Sequence, residues 1–216
     1  MSASRASRAA PAAAAAFVIC TPVEAEERNF ALGARVMMTA ADGEPANDIP
    51  GAGVLGRYAL NERWSIGVAV DRTEFDLEEP GKVIGIVQDP ALEPIDALAE
   101  ATVLSAWLER TFRQQSPITW FIGAGLGAAS VDVPDAAGAR ADGGQFNVHT
   151  EVDTEIIASI VGGVRLDFGS RWYAEFSVRA DQHFADWRIV DRISGAQGSI
   201  DDYLALGGHL AVGVRW

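Results

Sequence analysis

Read back in twos from Trp216, the last stretch of the chain sorts into two faces. Val214, Val212, Leu210, Gly208, Leu206 and Leu204 fall on one parity, and Arg215, Gly213, Ala211, His209, Gly207, Ala205 and Tyr203 on the other. A period of two belongs to a strand rather than a helix. An apolar face this long suits a tilted strand crossing a bilayer, which takes about 9–11 residues.

Seven earlier segments repeat the pattern: Asn29 to Thr39, Ala52 to Leu60, Trp64 to about Phe75, Ala101 to Arg113, Ile118 to Val131, Thr154 to Phe168 and Trp172 to about Trp187. In the third, for example, Trp64, Ile66, Val68 and Val70 oppose Ser65, Gly67, Ala69 and Asp71. In the fifth, Gly123, Gly125 and Gly127 share the polar parity, where they make room for larger neighbours. Arg110 is a misfit on a greasy face, but the next turn is close enough for its long side chain to snorkel toward polar headgroups.

The connections alternate in length. Asn61 to Arg63, Gln114 to Pro117 and Gly169 to Arg171 are short, whereas 40–50, 78–100, 132–153 and 188–200 read as longer loops rich in Gly, Pro and Asp. Within the second long loop, Val83 to Val87 reads as a short hairpin arm or a rim helix. In antiparallel order the short turns and both termini share one end. Phe30, Tyr58, Trp64, Phe112, Trp120, Phe168, Trp172 and Trp216 cluster toward that end, all on the greasy parity, as an interfacial aromatic girdle would. The expected fold is all-β, an eight-stranded antiparallel transmembrane up-and-down β-barrel.

The other parity decides against a soluble barrel, which hides its apolar face inside. It carries Arg35, Arg57, Asp71, Glu109, Arg165, Asp167, Glu175, Arg179, Asp181, His209 and Arg215. Buried ions cost several kcal/mol each unless paired, so such a core suits a polar lumen instead. An eight-stranded interior is only wide enough for side chains to fill. The expectation is therefore an ion-pair network that plugs the lumen rather than a wide pore.

Composition narrows the picture further. No apolar run reaches the ~20 residues of a membrane helix. A net charge of −13 with a single lysine, Lys82, argues against a nucleic-acid partner, whose phosphates select basic surfaces. Residues 1–25 read as an export signal, with Arg5 and Arg8, the apolar run Ala9 to Cys20 and the small-residue site Val23-Glu24-Ala25; an Ala-rich disordered tail is the alternative. The barrel would then occupy 26–216. Cys20 would leave with the signal, so no disulfide or thiol chemistry is expected.

The closing strand His209-Leu210-Ala211-Val212-Gly213-Val214-Arg215-Trp216 and the segment Trp120-Phe121-Ile122-Gly123-Ala124-Gly125-Leu126-Gly127 resemble the small outer-membrane β-barrels of the OmpA-domain and OmpW-like superfamily. The resemblance covers nearly all of 26–216, as a pattern rather than a single motif. It implies an outer-membrane location with extracellular loops and periplasmic termini, and contact with outer-membrane lipid and lipopolysaccharide. It also implies that the terminal strand, through Gly213 and Trp216, is read by the barrel-assembly machinery. No further domain, such as one that binds peptidoglycan, is expected after Trp216, and a monomer is expected.

Candidate chemistry is sparse. Some barrels of this kind modify lipid A acyl chains with a serine, a histidine and an acid at the rim. Here the candidates would be His183 with Asp181 or Asp186 and Ser177 or Ser194, but the histidine-x-serine spacing is absent because Phe184 and Ala185 follow. The loop acids, such as Asp42, Glu44, Asp48, Asp132, Asp135, Asp142, Glu151 and Asp153, show no EF-hand register, and His149 alone makes no metal site. No cofactor, metal or catalytic residue is expected. The leading expectation is a non-enzymatic structural or surface-exposed envelope protein; a narrow channel or lateral transporter for small solutes, hydrophobic ones included, is the alternative.

Overall fold

The computed structural model describes residues 29–41, 49–78, 86, 96–113, 117–168 and 170–216. The expected signal, the Val83 to Val87 segment apart from Ile86, and the acidic residues Asp42, Glu44, Asp48, Glu79, Asp89 and Glu93 lie outside them. Twelve strands are described: β1 (Phe30–Ala41), β2 (Ile49–Ala59), β3 (Trp64–Glu78), β4 (Asp96–Arg113), β5 (Ile118–Asp132), β6 (Ala136–Ala139), β7 (Gln145–Val152), β8 (Glu155–Phe168), β9 (Trp172–Phe184), β10 (Trp187–Asp191), β11 (Gln197–Ile200) and β12 (Tyr203–Arg215).

Eight of them close a barrel in the order β1-β12-β9-β8-β5-β4-β3-β2, every pair antiparallel. The closing seam sets Leu32 opposite Val214 and Val36 opposite Leu210, which keeps the greasy parity of both strands on one side. That side is the outside. Val36, Val54, Leu104, Leu126, Ile160 and Leu210 are each more than half exposed, whereas Arg35, Leu55, Glu109, Arg165 and His209 are buried. The strands run from 11 residues in β2 to 18 in β4, enough for a tilted crossing.

Two bulky side chains fit inside because glycines face them. A Cβ at Gly67 or Gly125 would overlap Trp107, and one at Gly33 or Gly213 would overlap Tyr173. Around Trp107, the inward Leu55, Ala69, Phe121, Val161 and Ala211 form a small apolar belt within an otherwise polar lumen.

The segments expected as loops at 132–153 and 188–200 are corrected. They hold β6 and β7, and most of β10 and all of β11, which make a separate sheet in the order β11-β10-β7-β6. The strand expected to run from Trp172 to Trp187 ends instead at Phe184, and Trp187 begins β10. β3 and β4 also reach further than expected, paired out to Glu78 and Asp96. The two hairpins of the small sheet turn on Gly143 (φ 84°) and Gly195 (φ 73°), left-handed positions that glycine adopts without a steric penalty. The inner face of this sheet, with Phe146, Val148, Trp187 and Ile189, joins Phe75 and Val133 in an apolar core at the barrel's far end. The Phe75 and Trp187 rings stack there at 6.4 Å.

Candidate functional site: a charged lumen

The inward parity of β2, β4, β8 and β9 brings four charges from distant parts of the chain to one level. Arg57 Nε donates to Glu109 at 3.0 Å, and Arg57 Nη2 donates to Glu175 at 3.0 Å. Arg165 Nε donates to Glu175 at 2.9 Å, and Arg165 Nη2 to Glu109 at 2.9 Å. Two arginines and two carboxylates thus form a closed quartet. Charge-assisted bonds of this kind are stronger than neutral ones, and each ion here has both opposite charges as partners. The Phe121 ring lies beneath both guanidinium groups, 5.8 Å from Arg57 and 4.9 Å from Arg165.

Other pairs lie above and below the quartet. Toward the far end, Arg35 bonds Asp71 through two nitrogens, with Nε to Oδ1 at 2.7 Å. Arg179 Nε donates to Asp181 at 2.6 Å, while its other nitrogens reach the hydroxyls of Ser105 and Ser159. Toward the short-turn end, Arg215 Nη1 donates to Asp167 at 2.7 Å, and its guanidinium lies 5.3 Å from the Tyr173 ring. His209 stands in the lumen but joins no ion pair among the described residues, and its Nδ1 has no hydrogen-bond partner there.

The free space follows this layering. A cavity of about 100 Å³ opens at the short-turn end beside Arg165 and Arg215. Another of about 70 Å³ lies toward the far end between His209 and Tyr203. Between them, beside Arg57, Trp107 and Arg179, lies a pocket of about 10 Å³, room for about one water.

At the far rim, Glu155 is a residue that sequence reasoning missed. It is buried and accepts hydrogen bonds from Trp187 Nε1 (2.5 Å) and the Tyr203 hydroxyl (3.2 Å), and it contacts His183 Nδ1 at 2.7 Å. These contacts tie β8, β9 and β12 to Trp187, the first residue of β10 in the small sheet. The only signal in the sequence was an acid at the start of an apolar strand. His183 stacks on Tyr203 at 4.4 Å, so it is held by Glu155 and Tyr203 rather than by the serines considered with it. Ser177 bonds neither it nor Asp186, and Ser194 bonds Asp191 in another turn.

Asp191 anchors the small sheet. Burial alone would raise its pKa, but the Ser194 hydroxyl and the backbone N–H groups of Asn147, Ile193 and Ser194 hold its carboxyl well below the usual range. Arg140 adds an ion pair. On the outer face of the same sheet, hydrogen bonding to His149, aided by Arg192, holds the Asp135 carboxyl below its ordinary value. No cluster of three or more metal-binding side chains occurs among the described residues.

On the outside, the eight aromatic residues near the short-turn end, from Phe30 to Trp216, are each between 37 % and 52 % exposed. Phe30 and Trp216 meet across the seam with ring centres 5.1 Å apart. Arg110 lies outward among them, 5.9 Å from the Trp64 ring and 5.4 Å from the Phe112 ring.

No protein-family model matches the chain, and no curated protein sequence matches it. Solved structures do. Neisserial surface protein A is 16 % identical, with 87 % of this chain and 97 % of that one covered and a TM-score of 0.55. The outer membrane protein OprG from Pseudomonas aeruginosa is 7 % identical, with 87 % and 96 % covered and a TM-score of 0.60. The outer membrane protein AlkL, solved by solid-state NMR in DMPC bilayers, is 12 % identical, with 93 % and 96 % covered and a TM-score of 0.51. At such identities the likeness is one of fold. With its apolar outside, paired charges within and closed antiparallel order, the chain has the fold of small eight-stranded outer-membrane β-barrels.

Proposed function

We propose that the chain is a non-enzymatic protein of the bacterial outer membrane, structural or surface-exposed, whose lumen is closed by its own ion pairs. The small sheet and the other long connections face outward, and the termini face the periplasm. One observation carries this reading: the Arg57, Glu109, Arg165 and Glu175 quartet closes across the lumen between the cavity of about 100 Å³ that Arg57 and Arg165 border and the pocket of about 10 Å³ that Arg57 and Glu175 border. Moving a hydrated ion past it would mean breaking buried pairs, at a cost of several kcal/mol. The protein reconstituted into planar lipid bilayers is expected to give no unitary current steps. Regular steps above the bilayer background would overturn the plugged reading.

A second reading, a path for a small apolar solute, is favoured by a different observation. The far-end cavity is bordered by Ile49, Phe75, Val131 and Ile157 above its charged floor. Uptake of a fluorescent alkane analogue by vesicles carrying the barrel would support it, and equal uptake by empty vesicles would dismiss it. Outer-membrane lipid and lipopolysaccharide are the proposed surroundings, the barrel-assembly machinery is the proposed reader of Gly213 and Trp216, and the barrel is proposed to act as a monomer. An unchanged lipid A mass spectrum in cells that express the protein is the outcome expected of a barrel with no acyl-modifying activity.

A further inference from the structure

We propose that the outer face of the barrel at its short-turn end carries a binding site for the phosphate of an anionic phospholipid, centred on Arg110 and completed by Trp64, Phe112 and Arg63. The proposal rests on the membrane reading above and goes beyond it by naming a lipid class and a place.

The site begins with a charge where the pattern calls for none. Arg110 is exposed on the greasy parity of β4, paired in register with Trp64 on one side and Ile122 on the other. Among the described side chains of the barrel strands, the other charges on the outward parity are Arg72, Glu74, Glu100 and Asp132, all toward the far end. There Arg72 is already neutralised by Glu100. Arg110 has no carboxylate partner among the described residues, and its guanidinium is held between two rings. A cation placed against aromatic faces keeps its charge and its donors available while its position is restricted.

The surroundings select the ligand. Arg63 is exposed in the adjacent β2–β3 turn next to Glu62, and Arg171 is exposed in the turn before β9; Asp167 at the same end is paired with Arg215. The far end, by contrast, is dominated by carboxylates, including Asp135, Asp142, Glu151 and Asp153. A negatively charged headgroup therefore complements the short-turn end and is repelled at the other. Leu108 and Ile66, paired with each other and more than 40 % exposed, continue from Arg110 toward the middle of the barrel, and the exposed Ile122 flanks Arg110. They give an acyl chain a surface to lie on, which free phosphate would not use. Each arginine near a membrane surface contributes enough attraction for about a fivefold preference for an anionic lipid, weakening as salt rises.

The test uses the full chain refolded in detergent, with equal amounts of phosphatidylglycerol and phosphatidylcholine added, and native mass spectrometry of the bound lipids. The parent, with Arg110 and Arg63 both in place, is expected to retain phosphatidylglycerol more than about fivefold over phosphatidylcholine. R110Q is expected to lower that ratio about fivefold, while R72Q at the far end leaves it unchanged. No preference in the parent, an unchanged ratio in R110Q, or an equal loss in R72Q would overturn the site. Heat-modifiable gel mobility is checked for all three proteins. Folding without detergent and without that shift would sink the membrane reading itself, whereas a heat-modifiable barrel that ignores headgroup charge would sink only the lipid site.

Discussion

Replacing Glu109 with Gln tests the lumen at its most buried charge. The Glu109 side chain is fully buried and accepts from Arg57 at 3.0 Å and from Arg165 at 2.9 Å. In the variant the two arginines keep Glu175 as their only shared anion, so one positive charge in the quartet is left uncompensated. Removing one partner of a buried ion pair costs about 3–5 kcal/mol. The amide keeps the shape of the side chain and one acceptor oxygen, so the low end applies, roughly 3 kcal/mol. That is a shift of more than about a hundredfold in the folded-to-unfolded ratio. Urea titration of the barrel in phospholipid vesicles, read by tryptophan fluorescence and by heat-modifiable mobility, measures it. Adding R57M removes one charge of the opposite sign and leaves the Arg165–Glu175 pair intact at 2.9 Å. The double variant should therefore recover at least half of the loss. A single variant within about 1 kcal/mol of the parent, or two losses that simply add, would refute the coupled quartet.

Three further outcomes follow from other parts of the molecule. Gly125→Ala places a Cβ against the Ala106 carbonyl and Trp107, neither of which can swing away, and should cost about 1–3 kcal/mol in the same titration; a neutral result would mean that the lumen is looser around Trp107. The depressed pKa of Asp191 means that its contribution to the small sheet is complete above the ordinary aspartate value of 3.8 and is lost as pH falls through the lower folded value. Amide protection of Asn147 and Ser194, relative to intrinsic exchange rates, should hold down to about that pH and fall below it, and D191N should flatten the profile. Trp216→Ala should lower the amount of barrel assembled in cells far more than its stability in vesicles, and equal cellular levels of variant and parent would count against a role in assembly.

The barrel was legible because membrane strands write themselves as parity. Val36, Ile66, Leu108, Ile122, Ile160 and Leu210 fall on the greasy side of their strands and are exposed, while Arg35, Asp71, Glu109 and Arg165 fall opposite and are buried. The pairing of those charges was not legible. Parity says only that Arg57, Glu109, Arg165 and Glu175 point inward; which of them share a level depends on the stagger of eight strands around the barrel. The small sheet was missed for another reason. Two of its strands have only four residues each, and its hairpins turn on Asp- and Gly-rich segments that read as loops. The alternation Phe146, Val148, Thr150, Val152 was the signal that could have revealed β7, and it continues in Trp187 and Ile189 of β10.

The sidedness of the strands is the central claim, and spin labels placed singly along β12 in the vesicle-embedded barrel test it most directly. Collision with dissolved oxygen, which concentrates in the hydrocarbon, should alternate with a period of two. It should be high at Leu206, Leu210 and Val212, which are more than half exposed, and low at the buried Ala205, His209 and Ala211. Reversed alternation, or uniform access to a water-soluble relaxer along the whole strand, would contradict a barrel that crosses the bilayer with its charges inside.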